Sequence, residues 1–315
     1  MIKTLRLIAL LLALSLLFAL WGCQTPDVPN PEVPTALPMA DPNDGVIDVG
    51  QENLPYSEEQ LYMQLFDPNN KIEIDLDMPD AELQKMQDDY DRYREIGSKS
   101  PIYRKANVVI SITNSDGTTA YRIPEVGVRM KGNTSRTDFY NAQDGIYHFI
   151  HLRLDFQETF EDETYYGADR NIWENEKLLK QRKDRTFATL EKLELRWNKN
   201  DDRTYLREDY AYEIYRSEGL LAPNCNLSVF TWNDARMGIY LLEEPVDKVF
   251  IQRNLPQEDW DGDLYKCGWT WQPVTFTSQK SIGIENEDNG EFYVYDLKTN
   301  KKTSQHEALI KLIRT

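Results

Sequence analysis

The sequence predicts an α+β fold, a mostly antiparallel sheet with helices laid against it. Three patterns lead to that expectation. Apolar residues alternate with polar ones at the two-residue period of half-buried strands in several separate stretches, Ile72, Ile74 and Leu76 among them. The turn dipeptides Asp116-Gly117 and Asn233-Asp234 join neighbouring stretches closely enough to make hairpins. A third stretch, Leu206, Tyr210 and Ile214, changes to the four-residue spacing of an amphipathic helix and stops just before Gly219.

Taken in order, the chain starts with an address. Lys3 and Arg6 precede an almost unbroken apolar run from Leu7 to Trp21, the layout of a signal peptide. That run is shorter than the roughly 20 apolar residues a membrane span wants. It closes in Leu20-Trp21-Gly22-Cys23, which resembles the lipobox of bacterial lipoproteins, with Trp21 where a small residue is usual. The expectation is cleavage of residues 1–22, lipidation of Cys23, and a body held at a membrane outside the cytoplasm. Residues 23–60 read as a proline-rich stalk. Seven prolines between Gln24 and Pro55 and few large apolar side chains leave too little surface to bury.

Removing Lys3 and Arg6 from the 36 basic residues leaves 34 against 53 acidic ones, a net charge of −19. Such a surface repels nucleic acid. Beyond Cys23 only Cys225 and Cys267 remain; an oxidising compartment permits them to pair, but they make no metal-ligand pattern. His148, His151 and His306 are the only histidines and lack the spacing of a zinc enzyme.

From Leu61 onward the elements follow one another. After the strand at Ile72–Leu76, Asp80 can cap a helix through Leu83, Met86 and Tyr90. Ala106–Thr113 and Thr119–Ile123 form a hairpin, and Val126, Val128 and Met130 extend it to a break at Gly132-Asn133. His151, Arg153 and Asp155 alternate with Leu152, Leu154 and Phe156 in another strand. Residues 157–189, crowded with charge, read as an exposed insertion with a helical piece. Leu193, Leu195 and Trp197 share one strand face; Lys192, Glu194 and Arg196 share the other. Asp202 is the expected N-cap of the next helix, with Leu206, Tyr210 and Ile214 on its buried stripe and Gly219 as left-handed terminator. A hairpin of Asn226–Trp232 and Gly238–Glu243, then a strand at Asp263–Cys267, complete the set.

Strand, polar glycine loop, strand, insertion, strand with a lysine, acidic helix, two strands and a connector is the order of a protein-kinase N-lobe. Phosphoryl transfer asks a protein mainly to position charge. A loop of small residues lets backbone N–H groups approach phosphates. By position the loop is Lys131-Gly132-Asn133-Thr134-Ser135-Arg136, the strand lysine is Lys192, and its helix partner is Glu208 or Glu213.

Four ordered motifs carry a more specific likeness. Gly127 to Arg136, the Leu206-to-Gly219 helix with Pro223 after it, Gly238 to Lys248, and Gly262-Asp263-Leu264-Tyr265-Lys266 together resemble the spore coat protein H, or CotH-like, kinase family, from about residue 70 to the end. The resemblance implies an atypical secreted kinase that uses ATP with Mg or Mn to phosphorylate serine on a secreted or surface protein. Its implied nucleotide-binding residues here are Arg129, Lys131, Gly132, Asn133, Ser135, Arg136, Lys192, Glu208, Glu213, Glu244 and Lys266. Glu244 matches the family's acidic position better than Glu243, which stands where an apolar residue is usual.

The chain also departs from the family. Its basic Lys-Pro-Phe-Lys pattern is replaced by Gly145 to His151. The Asn-Trp-Asp-like and Asp-x-Asp-like motifs expected after Lys266, which hold metal and serve catalysis, do not appear, so no catalytic aspartate is assigned in this chain. Ser304-Gln305-His306-Glu307 reads as a capping box opening a helix with Leu309, Ile310, Leu312 and Ile313 on one side. Residues 61–268 are therefore expected to form the N-lobe and 269–315 the connector and start of an incomplete C-lobe, inactive in this form. The alternative is a lipid-anchored, non-catalytic module that binds protein or glycan, with Trp269 and Trp271 as a sugar-stacking pair. Asp261-Gly262-Asp263 lacks the further ligands of a calcium site.

Overall fold

The computed structural model describes residues 46–49, 54–198, 204–268 and 281–315, so Cys23, Asp202, Trp269 and Trp271 lie outside the described residues. Residues 45–315 form one compact unit. The fold is mixed α+β, with one large sheet and, among the described residues, seven α-helices.

The chain runs through β1 (Val46–Asp48), α1 (Glu58–Leu65), β2 (Lys71–Asp77), α2 (Asp80–Glu95), β3 (Arg104–Asn114) and β4 (Gly117–Lys131). The small hairpin β5 (Tyr140–Asn141) and β6 (Gly145–Ile146) leads into β7 (His151–Asp155), followed by α3 (Glu163–Tyr166), α4 (Glu176–Lys183) and β8 (Lys192–Trp197). Then come α5 (Arg207–Ser217), β9 (Cys225–Trp232), β10 (Ala235–Glu243) and α6 (Lys248–Asn254). A second, three-stranded sheet of β11 (Tyr265–Cys267), β12 (Ile282–Gly283) and β13 (Tyr295–Leu297) precedes α7 (Glu307–Arg314).

The large sheet has the order β1-β4-β3-β2-β9-β10-β8-β7, and β4 also pairs with β7, so seven of its strands close on themselves. The length of β4 makes this possible. Its first part pairs with β3 and β1, and its last five residues pair with β7. A ring with an odd number of strands cannot be antiparallel throughout, and the parallel exception falls at β2–β9. Closure removes the open edges that invite aggregation. The mostly antiparallel sheet of the sequence reading is present; the ring closure is not legible in local pattern.

One face of the ring carries the core. Ile72, Ile74 and Leu76 stand opposite Ile112, Ile110 and Val108 on one side, and opposite Ser228, Phe230 and Trp232 on the other. Leu152, Leu154, Leu193, Leu195, Tyr240 and Leu242 continue the same buried cluster, joined by Leu61 and Leu65 of α1 and by Leu83, Met86 and Tyr90 of α2. The β9–β10 hairpin turns at Asn233 and Asp234, both with positive φ (47° and 63°), as a tight primed turn requires.

Several local expectations are corrected. The stalk ends earlier than residue 60, because β1 adds to β4 and Ser57 opens α1 with a reciprocal capping box to Gln60. Asp80 is the first residue of α2, with Pro79 at the cap. The insertion at 157–189 is anchored rather than wholly exposed: Phe160, Phe187 and Ala188 are fully buried. Its Arg182 and Arg185 donate to the carbonyls of Glu125 and Pro124, where β4 bends at a positive-φ Glu125. Ser304 does not cap α7. His306, left-handed at φ 58°, holds that position, while Ser304 Oγ bonds Asp263 and accepts from the His306 N–H. Cys225 and Cys267 are both free thiols, the first buried and the second exposed.

The largest correction concerns α5. None of its residues is buried, and Leu206, Tyr210 and Ile214 are 48%, 64% and 46% exposed. Gly219 does terminate it, with φ +78° and the paired Leu220 N–H to Tyr215 and Gly219 N–H to Arg216 bonds of a Schellman motif. Truncating Leu154 in the ring core to Ala is expected to cost about 2–5 kcal/mol. Tyr210→Ala is expected to change stability by less than about 0.5 kcal/mol. Urea unfolding of the two variants checks the contrast.

Candidate functional site

Strand alternation places the charged residues on the face opposite the core. Across four strands Arg129, Arg153, Glu194 and Glu243 stand in one row, and Lys131 lies opposite His151 in the next. Glu194 is the centre of this face. Its side chain is 2% exposed, and it accepts from Arg153 Nε at 3.0 Å and from the ammonium of Lys131. A buried carboxylate is tolerated only when cations and hydrogen bonds replace its water, so Glu194 fixes both.

Arg196, also on β8, forks its guanidinium. Nη1 meets Glu243 at 2.6 Å and Nη2 meets Glu208 of α5 at 2.7 Å. Glu243 also accepts from the Tyr212 hydroxyl at 3.3 Å. Lys131 lies within this network, paired with Glu194. Burial pushes its ammonium well below the usual lysine range, an effect that Glu243 opposes and that Arg153, Arg196 and Lys266 add to. Lys266 on β11 remains open to solvent. It is held below its usual value first by the protein mass around it and then by Lys99, Lys298 and Arg153. No ion pair to Lys266 is formed among the described residues.

The loop after β4 is shaped by one glycine. Gly132 has φ +109°, and a Cβ there would sit 2.0 Å from Ser135 Oγ. Ser135 is buried against it, while Asn133 and Thr134 stay exposed. Arg129 donates to the Ser100 carbonyl at 3.0 Å and stacks on Tyr103, and its Nε is buried without a hydrogen-bond partner. Arg136 donates to the carbonyls of Asn133 and Ser98. These two arginines thus fasten the 98–100 segment beside the face.

The remaining sequence candidates are distributed differently. Lys192 pairs with Asp155 at 2.6 Å, its cross-strand neighbour, and not with the helix; the strand cation that meets Glu208 is Arg196. Glu213 lies on the exposed side of α5. Glu244, fully buried, pairs with Arg253 and accepts from Asn224 N–H at 2.8 Å, away from the row that Glu243 joins. Arg253 in turn lies 3.8 Å from the ring centroid of Tyr62. The stretch at 145–151 packs instead of binding charge: His148, Phe149 and His151 surround Trp197, and His151 Nδ1 accepts the backbone N–H of Trp197 at 3.1 Å. Arg153, Glu194, Arg196 and Glu243 were not singled out from the sequence, though the alternation of 151–155 and 192–196 already put three of them on the polar face.

One face of the ring carries the apolar core, and the opposite face gathers Lys131, Arg153 and Arg196 around the buried carboxylates of Glu194 and Glu243. The sequence matches the family described as CotH kinase protein over residues 128–315, more than half of the chain, and the chain belongs to that family. The match starts within β4, so β2, β3 and the β3–β4 hairpin complete the ring from outside it. No curated protein matches the chain. No described helix is long and apolar enough to cross a membrane, and no described group of three or more His, Cys, Asp or Glu gathers as a metal site.

Beside the face, Glu285 pairs with Lys99 at 2.9 Å and Lys298 at 3.2 Å. Burial raises its carboxyl, but the two lysines prevail and hold it at about 2. Its folded value is thus below its unfolded one. The stabilisation is present above the ordinary glutamate range and is lost as pH falls through that range toward about 2. Glu285→Gln is expected to lower the melting temperature near neutral pH, with the gap to wild type closing as pH drops toward 2, read by thermal melts across pH.

Proposed function

We propose that the charged face around Glu194 is the phosphate-binding face of an exported, lipid-anchored kinase that transfers phosphate from ATP, with Mg or Mn, to serine on a secreted or surface protein. The ring and α5 would serve it as the N-lobe serves other kinases. The observation that carries this reading is the buried Glu194 holding Lys131 and Arg153 in place, with solvent-open Lys266 beside them. Cations pre-set in this way meet phosphate oxygens without reorganising. Lys131, Arg153 and Lys266 suit the nucleotide's phosphates. Among the described residues no group of three or more His, Cys, Asp or Glu gathers to hold the metal.

A second reading, a lipid-anchored module that binds a protein or glycan, is favoured by the exposed apolar side chains of Leu206, Tyr210, Ile214, Leu220 and Leu221. Contiguous exposed apolar surface marks interaction sites.

Fluorescent ATP binding and transfer of labelled phosphate from ATP to a generic protein acceptor test the first reading. Lys131→Ala removes a charge-assisted contact, and affinity is expected to fall roughly 10- to 100-fold. A wild-type chain that binds no nucleotide with either metal contradicts the kinase reading and leaves the binding module.

A further inference from the structure

We propose that a cavity between α2, the start of β3 and the 157–189 insertion binds a small hydroxylated carboxylate at Lys105. This site is separate from the Glu194-centred face and does not rest on the phosphate-binding reading.

The cavity measures about 260 Å³ and is lined by charged side chains of α2 and β3 and by Phe160, Tyr166 and Asp169 of the insertion. That is just under the roughly 300–1,000 Å³ of sites for drug-sized molecules, so its occupant is small. None of its lining residues belongs to the network around Glu194.

The charges that line it are unevenly answered. Lys85 meets both acids of the lining, Glu82 and Asp169, each at 2.9 Å. Arg104 is answered at 2.7 Å by buried Asp89, which is not part of the lining. Lys105 has no carboxylate partner among the described residues. Its ammonium donates to Asn171 Oδ1 at 2.6 Å and lies 5.2 Å from the centroid of the Phe160 ring. An ammonium has three donors, so two are left for a ligand. The field of these cations reaches Asp169, whose carboxyl is held below the usual aspartate range first by Lys85 and then by Lys105 and Arg104. In a chain with 53 acidic residues against 36 basic ones, a half-buried lysine without an acid is a place for an anion from outside.

The groups that hold Lys105 are themselves fixed. Phe160 is fully buried and meets Tyr166 edge-on with ring centroids 5.5 Å apart. The Asn171 N–H donates back to the Phe160 carbonyl at 2.8 Å, and the Asn171 side chain donates to the Thr159 carbonyl at 3.2 Å. A site ordered beforehand spends little of its binding energy on ordering. A carboxylate on Lys105 leaves the rest of the ligand near Glu82 and Asp169, which accept hydrogen bonds and repel further negative charge. Hydroxyl groups meet that condition, and a second acidic group does not.

Isothermal titration of the full chain with glucuronate, gluconate and lactate tests the site, with glucose as the uncharged control. At least one acid is expected to bind with a Kd below about 1 mM, and glucose is expected not to bind. Lys105→Met keeps the stem and removes the charge, and is expected to weaken binding about 10-fold or more. Asn171→Asp supplies the missing carboxylate from within the chain and is expected to do the same while leaving the lysine in place; thermal melts verify that each variant is folded. Excess ATP is expected not to displace the acid. No binding of any of the three acids, binding unchanged in a folded Lys105→Met or Asn171→Asp chain, or displacement by ATP overturns the proposal; failure of ATP to bind at all bears on the kinase reading alone.

Discussion

A carboxylate buried on the polar face of a sheet must be answered by cations, and Glu194 imposes that condition on everything around it. With a side chain 2% exposed it has lost its water, and Arg153 from the adjoining β7 and Lys131 from β4 beyond it replace it. Breaking such a pair by removing one partner costs far more than the pair contributes net, because a buried charge is left uncompensated. The two cations are thereby held in place in a region already crowded by Arg196 and Lys266, and Lys131 is pushed well down from the ordinary lysine range by burial and these neighbours. On the reading proposed above, these cations serve an anionic ligand.

The ring makes that arrangement possible. Seven strands closed through one parallel pair gather most of the apolar strand residues on the core face, leaving the charged side chains of β4, β7, β8 and β10 to the other. The core face is rigid and close-packed, whereas the elements bordering the charged face are held by ion pairs and hydrogen bonds. Lys99 and Lys298 tie in Glu285, Tyr93 and Tyr165 meet Asp288 at 2.6 and 3.0 Å, and Arg196 ties in α5. Stability and adaptability are thus divided between the two faces of one sheet.

Much of this was legible in the amino-acid order, because it is local. Period-two alternation located the strands of the ring, Asn233-Asp234 marked the hairpin, and Gly219 marked the end of α5. The family likeness, drawn from four motifs, agrees with the match over residues 128–315. The failures are non-local. Lys192 and Arg196 lie on the same face of one strand, and only the three-dimensional path of α5 decides that Arg196 meets Glu208 while Lys192 meets Asp155 across the sheet. Four-residue spacing made Leu206, Tyr210 and Ile214 a buried stripe, but periodicity cannot tell which side of a helix is turned toward the protein, and here the polar side is. Ser304 had the residue type of a cap, yet Asp263, distant in sequence, engages it. The seven-stranded closure depends on pairing β2 with β9, some 150 residues apart, which no local signal records.

The central claim is that the Glu194-centred face receives the phosphates of a nucleotide. An ATP analogue carrying an acyl-phosphate, which transfers its acyl group to lysines beside the bound phosphates, tests this directly when the labelled peptides are identified by mass spectrometry. The account predicts labelling of Lys131 or Lys266, blocked by excess ATP, with Lys192 unlabelled at its Asp155 partner. Competable labelling of Lys192 alone, or no competable labelling of any lysine on this face, would contradict it.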